Sequence, residues 1–101
     1  MPEAEFDVTE QLVQALLHEQ HPDLAVLPLS LLASGWDNVL FRLGDSLAVR
    51  MPRRQLGADL VAGEQRWLPE LAPHLPLPIP APIRIGRPGL DYPWAWSVVP
   101  Y

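Results

Sequence analysis

Leu12, Val13, Leu16 and Leu17 recur at helical spacing and Pro22 closes the run, which predicts an amphipathic helix over residues 8–20. Asp7-Val8-Thr9-Glu10 at its start reads as a capping box, in which Asp7 and Glu10 each satisfy the other's backbone donor. The apolar stripe is expected to pack on a core, because the polar face carries no basic residue to meet a membrane. Leu27–Ala33 follows as an apolar run broken by Pro28, which suits a strand start or a sheet edge. Ser34-Gly35-Trp36-Asp37-Asn38 is a cluster of turn formers, and two strand-like runs, Val39–Leu43 and Ser46–Met51, flank Gly44-Asp45. A two-residue Gly-X loop predicts a hairpin in which Leu43 faces Ser46, Phe41 faces Ala48 and Val39 faces Arg50. In that register Val39, Phe41, Ala48 and Arg50 share one side, and Leu40, Leu47, Val49 and Met51 the other.

Pro52 ends the third strand, and residues 58–68 read as a second helix with Leu60, Val61, Trp67 and Leu68 on one stripe. Glu64 falls on the same stripe. A carboxylate there either snorkels to the edge or pairs with an Arg from the neighbouring sheet. From Pro69 to Pro82 the chain holds six prolines, which favour extended backbone packed along the domain and forbid a central strand. Ile83–Gly86 and Trp94–Val99 read as a final strand pair joined by Arg87–Pro93. Ending on an almost wholly apolar strand, the chain is expected to be a fragment of a longer protein.

Composition narrows the class. At 101 residues with 49% hydrophobic and 19% charged, the chain fits one small folded domain. It has no cysteine, so disulfides, thiolate metal sites and a cysteine nucleophile are excluded. Twelve acids against seven bases remove a whole-domain basic footprint for nucleic acid. No apolar run is long enough to span a bilayer, and the acidic start MPEAEFDVTE is unlike a signal peptide, so a cytoplasmic location without membrane contact is expected. All seven bases are Arg, and all lie in residues 42–101, where they face five acids; residues 1–41 hold seven acids and no base. Either the first half is simply a solvated acidic surface, or the second half faces an anion. His18, His21 and His74 lack clustered carboxylates and read as surface or core histidines rather than metal ligands.

What carries chemistry is an order of parts: a strand, a short Gly-containing turn, a strand, a tight hairpin, a strand bearing a cation, then a helix with an inward acid. A turn at Gly35 lets backbone approach phosphates, and a cation two residues after the small Ala48 can reach them. The stretches SGWDNVLFRLGDSLAVRMPRR, GEQRWLPELAPHLPLPIPAPIRIGRPG and YPWAWSVVPY resemble the N-terminal lobe of the aminoglycoside phosphotransferase family, over nearly the whole chain.

That resemblance implies an α+β, kinase-like N-lobe: a five-stranded antiparallel sheet with an N-terminal helix and one helix packed on it. Residues 1–101 would be the nucleotide-binding lobe for ATP or GTP with Mg²⁺, and the C-terminal lobe would supply the catalytic residues and metal ligands. Ser34, Gly35, Trp36, Asp37 and Asn38 would form the phosphate-covering loop, and Val39 and Ala48 would sandwich the base. Arg50 would replace the strand lysine that holds the α- and β-phosphates, with Glu64 as its helix partner. Val99, Pro100 and Tyr101 would begin the hinge, the Pro100 carbonyl accepting from the base. The turn has one glycine where the kinase pattern has three. The expected parent is a phosphotransferase acting on a small-molecule hydroxyl, with antibiotic resistance among its roles. On this reading the chain alone is not catalytic and carries no catalytic residue. The rival reading is a non-catalytic module that self-associates, as a homodimer, through an inter-lobe face including Trp94, Trp96 and Tyr101.

Overall fold

The computed structural model describes residues 7–35, 38–55, 57–59, 61, 62, 65, 66 and 82–101. The first helix, α1, spans Glu10–Gln20, and its cap is Thr9, whose hydroxyl accepts from the Leu12 amide at 3.1 Å. The cap therefore lies two residues beyond the expected Asp7. Val8 between them is drawn onto the core, which leaves Thr9 as the last extended residue before the helix. Val13, Leu16 and Leu17 are fully buried, as the periodicity required.

Five strands form one antiparallel sheet: β1 (Leu29–Ser34), β2 (Asn38–Leu43), β3 (Leu47–Pro52), β4 (Arg84–Gly86) and β5 (Trp96–Pro100). Their order is β1-β2-β3-β5-β4, so β1 and β4 are the edges and β5 is inserted beside β3. Pro28 immediately precedes the edge strand β1, which carries a bulge between Leu31 and Ala33. Helical residues recur at 55, 57–59, 61, 62, 65 and 66, so the second helix starts earlier than position 58. Leu60, Glu64, Trp67, Leu68 and the proline run through residue 81 lie outside the described residues.

The β2–β3 register differs from the expected one by a residue. Val39 pairs with Met51, Leu40 with Arg50, Phe41 with Val49, Arg42 with Ala48, and Leu43 with Leu47. The loop is three residues long, with Gly44 at φ 63°, and Ser46 belongs to the turn. The cause is the pattern of apolar positions. This register places Val39, Phe41, Leu43, Leu47, Val49 and Met51 on one side, whereas the two-residue loop would have split them between both. Burial of six side chains outweighs the preference for one loop length.

That side meets α1. Val39, Phe41, Leu43, Val49, Met51, Trp96 and Val98 pack with Val13, Leu16 and Leu17 in a single cluster. Trp96 is fully buried and lies flat over Gly86, where an added Cβ would come within 2.0 Å of its ring. It is thus a core residue and cannot belong to an exposed inter-lobe patch; β5 also begins at Trp96 rather than Trp94. The indole Nε1 donates to the Arg87 carbonyl at 3.0 Å. Beyond β4 the chain reverses tightly between Gly89 and Tyr92, with Leu90 and Asp91 both at positive φ (50° and 67°).

Three side chains at the end of α1 and just after it cover the β4 edge. Gln20 donates to the Arg87 carbonyl at 2.8 Å and accepts from its amide at 2.7 Å. His21 Nε2 donates to the Ile85 carbonyl at 3.0 Å, while Asp23 takes a bidentate pair from Arg84 at 2.8 and 3.2 Å. An edge strand occupied in this way is closed to pairing with another chain.

Candidate functional site

The opposite side of the sheet holds the candidate site. Strand alternation places Asn38, Leu40 and Arg42 of β2, Ala48 and Arg50 of β3, and Ser97 and Val99 of β5 on it together. Ala48 faces Arg42 on one flank and Val99 on the other, so a small side chain lies at the centre with longer ones around it. Arg50 is the next residue along β3 on this side, between Leu40 and Ser97. Leu40, Ala48 and Val99 thus form an apolar bed on this side, with Ala48 itself 6% exposed and Arg50 following it along β3.

Ser97 is fully buried and holds the second helix: Gln65 Nε2 donates to its hydroxyl at 2.9 Å and to the Trp96 carbonyl at 2.7 Å. This anchors the residue next to Glu64 beside the strand position paired with Arg50. At the far end, Arg42 donates to the Gly44 carbonyl at 3.2 Å, and its guanidinium lies 5.4 Å from the centroid of the Tyr101 ring. The Tyr101 amide donates to the Ser46 carbonyl at 2.9 Å, which keeps the chain paired with β3 to its last residue.

The β1–β2 turn closes where the Gly35 amide donates to the Asn38 carbonyl at 2.8 Å. An added Cβ at Gly35 would be 3.4 Å from that oxygen, so the position is close but not blocked. Ser34 pairs with Val39, on the core side, and its hydroxyl accepts from Arg53 Nη1 at 2.9 Å.

The expected site residues therefore divide. Ala48 and Arg50 share one side as expected, Val99 joins them there with Tyr101 beside it, and Gly35 and Asn38 flank the turn. Pro100 pairs with Leu47 at the end of β5. Val39 does not share that side: it is 6% exposed and belongs to the core against α1. The one-residue change of register moved it, and it placed Leu40 beside Ala48 and Arg50 instead. Trp36, Asp37 and Glu64 lie outside the described residues. Leu40, Arg42, Arg53 and Gln65 were missed by sequence reasoning. The odd-numbered apolar positions of both β2 and β3 were the available signal for Leu40 and Arg42.

Groups with displaced titration lie away from this side. Burial pushes the Tyr92 phenol well above its usual range, and its hydroxyl donates to the Pro52 carbonyl. The hydrogen bonds from Arg84 hold Asp23 below the usual carboxylate range, and Asp23 in turn raises Arg84. Among the described residues no group of three or more His, Cys, Asp or Glu could hold a metal. No helix among them is long and apolar enough to cross a membrane.

The phosphotransferase enzyme family model matches residues 28–101, from the start of β1 to the end of β5. The chain belongs to the phosphotransferase enzyme family. The GDP complex of wild-type aminoglycoside 2'-phosphotransferase-IIIa matches 93% of this chain at TM-score 0.81 and 22% identity. The GDP and kanamycin complex of APH(2")-IIIa matches 91% at TM-score 0.78 and 23% identity. No curated protein matches. The chain spans about 30% of the length of these structures. The architecture of this family member is a kinase-like N-lobe, with the expected five-stranded antiparallel sheet and its helices.

Proposed function

We propose that residues 1–101 form the nucleotide-binding lobe of a phosphotransferase that moves the γ-phosphate of ATP or GTP to a hydroxyl of a small molecule. The observation that carries this reading is the side of the sheet where Leu40, Ala48 and Val99 make a flat apolar bed ending at Arg50. The small Ala48 leaves depth for a planar base, and its neighbours supply apolar contact above and beside it. Arg50 then meets the phosphates, to which a guanidinium donates two parallel hydrogen bonds. Leu40 takes the part expected of Val39. The Pro100 carbonyl serves as acceptor for the base, a role that needs no amide. Support also comes from the related solved structures, which are GDP complexes.

Within this reading Glu64 pairs with Arg50, and the Gln65 anchor fixes the height of that helix against β5. Mg²⁺ supplies charge neutralisation between phosphates when bound, and its protein ligands belong to a C-terminal lobe in cis. The acceptor, an aminoglycoside or another polyhydroxylated small molecule, is likewise selected there, and in a resistance enzyme it would be the antibiotic.

Isothermal titration of the chain with ATP, GTP and GDP tests the proposal. Weak binding that strengthens with phosphate number and is lost in Arg50→Ala supports it. Affinity indifferent to both phosphate number and Arg50→Ala refutes it. Tight Mg-ATP binding by the chain alone would refute the assignment of half the cleft to another lobe.

A further inference from the structure

Arg53 lies outside the bed described above, and at the root of the β1–β2 turn it makes a contact that no neighbouring residue duplicates among the described hydrogen bonds. It follows Pro52 at the end of β3, and its Nη1 donates to the Ser34 hydroxyl at 2.9 Å and to the Gly35 carbonyl at 3.2 Å. β3 and β1 are not neighbours; β2 separates them. The Arg53 side chain and its two acceptors therefore link β3 to β1 past the intervening strand. Both acceptors belong to the root of the β1–β2 turn, Ser34 as the last residue of β1 and Gly35 as the first beyond it.

The direction of the contact matters. Ser34 pairs with Val39 and shares its side of the sheet, so Arg53 grips the turn from the side facing α1. Arg50 is on the other side. A guanidinium occupied by a hydroxyl and a carbonyl behind the turn is placed to fix the turn's angle, while Arg50 is placed to meet a ligand. The Gly35 carbonyl is fixed by Arg53 and the Gly35 amide by Asn38. Both backbone polar groups of Gly35, one in each of two successive peptide units, are thus held.

We infer that Arg53 is a positioning residue that straps Ser34 and Gly35, the root of the β1–β2 turn, to β3 and so presets the Gly35 backbone for the phosphates of a bound nucleotide. This rests on the nucleotide-binding reading above, and it adds a division of labour between two arginines three residues apart. The strap orders Ser34 and Gly35 before the ligand arrives, so that less of their conformational freedom is lost on binding. Its effect falls on the part of the affinity that phosphates contribute, and not on the part contributed by the base.

The test compares GDP with guanosine by calorimetry on the wild-type chain, Arg53→Ala and Ser34→Ala, with amide hydrogen exchange at Gly35 as a second readout. Wild type is expected to bind GDP more tightly than guanosine. Arg53→Ala should lose at least about tenfold of that ratio, with guanosine affinity unchanged, and Ser34→Ala a smaller part of it. The loss should persist at about 0.5 M salt, where the long-range charge of Arg53 is screened. Gly35 exchange should be faster in both variants. Retention of the full GDP-to-guanosine ratio in both variants overturns the inference, as does a loss that vanishes at high salt. If wild type itself shows no preference for GDP, the nucleotide reading fails. Gly35 exchange then decides the strap by itself, unchanged exchange in both variants overturning it.

Discussion

Val39 and Leu40 are adjacent, similar in chemistry and opposite in consequence, and Val39→Asp against Leu40→Asp is the sharpest test of the sheet. Both substitutions add one negative charge and one poor strand former, so net charge and β-propensity cancel between them. Val39 is 6% exposed among Phe41, Met51 and the α1 leucines. Replacing it forfeits about 1.5–3 kcal/mol of apolar burial. Burying an unpartnered polar group adds about 2–7 kcal/mol, and the carboxyl must take up a proton to remain inside. The sum approaches the entire stability of a domain this size, about 5–15 kcal/mol. Leu40 borders an open bed, where the new carboxylate stays in water; the expected cost is about 1–2 kcal/mol of lost side-chain contact. Far-UV and near-UV circular dichroism with a thermal melt will show Val39→Asp unfolded or deeply destabilised at neutral pH. Leu40→Asp will melt cooperatively within about 8–16 °C of wild type. If Leu40→Asp unfolds while Val39→Asp melts like wild type, the register is wrong by one residue and the site with it.

Three further outcomes follow from other contacts. Tyr92→Phe leaves the buried Pro52 carbonyl without its phenol donor and should cost about 1–2 kcal/mol, read as a shift of the denaturant midpoint at constant m. Because burial raises the folded-state pKa of Tyr92, wild-type stability should hold up to about pH 10 and decline above it as the unfolded phenol ionises. Tyr92→Phe should abolish that alkaline decline. Asp23 is depressed in the folded state, so its contribution is present above the unfolded carboxylate value, about 3.9, and is lost as pH falls through its lower folded value. Urea titrations across that range should show the acid-side loss reduced in Asp23→Asn; an identical profile refutes the linkage. Gly86→Ala drives a Cβ into the Trp96 ring and should cost about 1–3 kcal/mol, with a red-shifted indole emission as the ring is displaced.

The larger architecture was legible because long-period signals are redundant. Four apolar residues mark α1, prolines mark the edges and ends of strands, and five strand-like runs became five strands. The register was not, because it depended on choosing between two local signals. Gly44-Asp45 reads as a two-residue turn, and the alternation of six apolar residues demands a three-residue loop. Turn chemistry involves one or two residues, whereas a face of the sheet involves six, so the pattern prevails. Two errors at the site descend from that choice: Val39 is expected on the wrong side, and Leu40 and Arg42 escape notice. Arg53 was illegible for a different reason. Its partners are 19 and 18 residues away in sequence and two strands away in space, and no spacing rule links a residue after β3 to the end of β1.

The absence of lysine acquires a structural sense from these contacts. Arg84 makes two parallel bonds to Asp23, Arg53 bridges a hydroxyl and a carbonyl, and Arg42 donates to the hairpin backbone while its plane lies over Tyr101. Each of these uses a property that an ammonium lacks or holds weakly: a fixed fork, several donors, or a flat face. The guanidinium also gives up less hydration than an ammonium on entering such contacts. These arginines thus add side-chain ties between segments: the turn after α1 to β4, β1 to β3, and the β2–β3 hairpin to Tyr101, beside its backbone bond to Ser46. Arg50 is set apart by position. It lies between Leu40 and Ser97 on the side of the sheet away from α1, two residues along β3 from the small Ala48. In a chain where arginine is the only strong cation, Arg50 is the residue that the proposed function assigns to phosphate, and on that proposal the fork that serves structure elsewhere serves the ligand there.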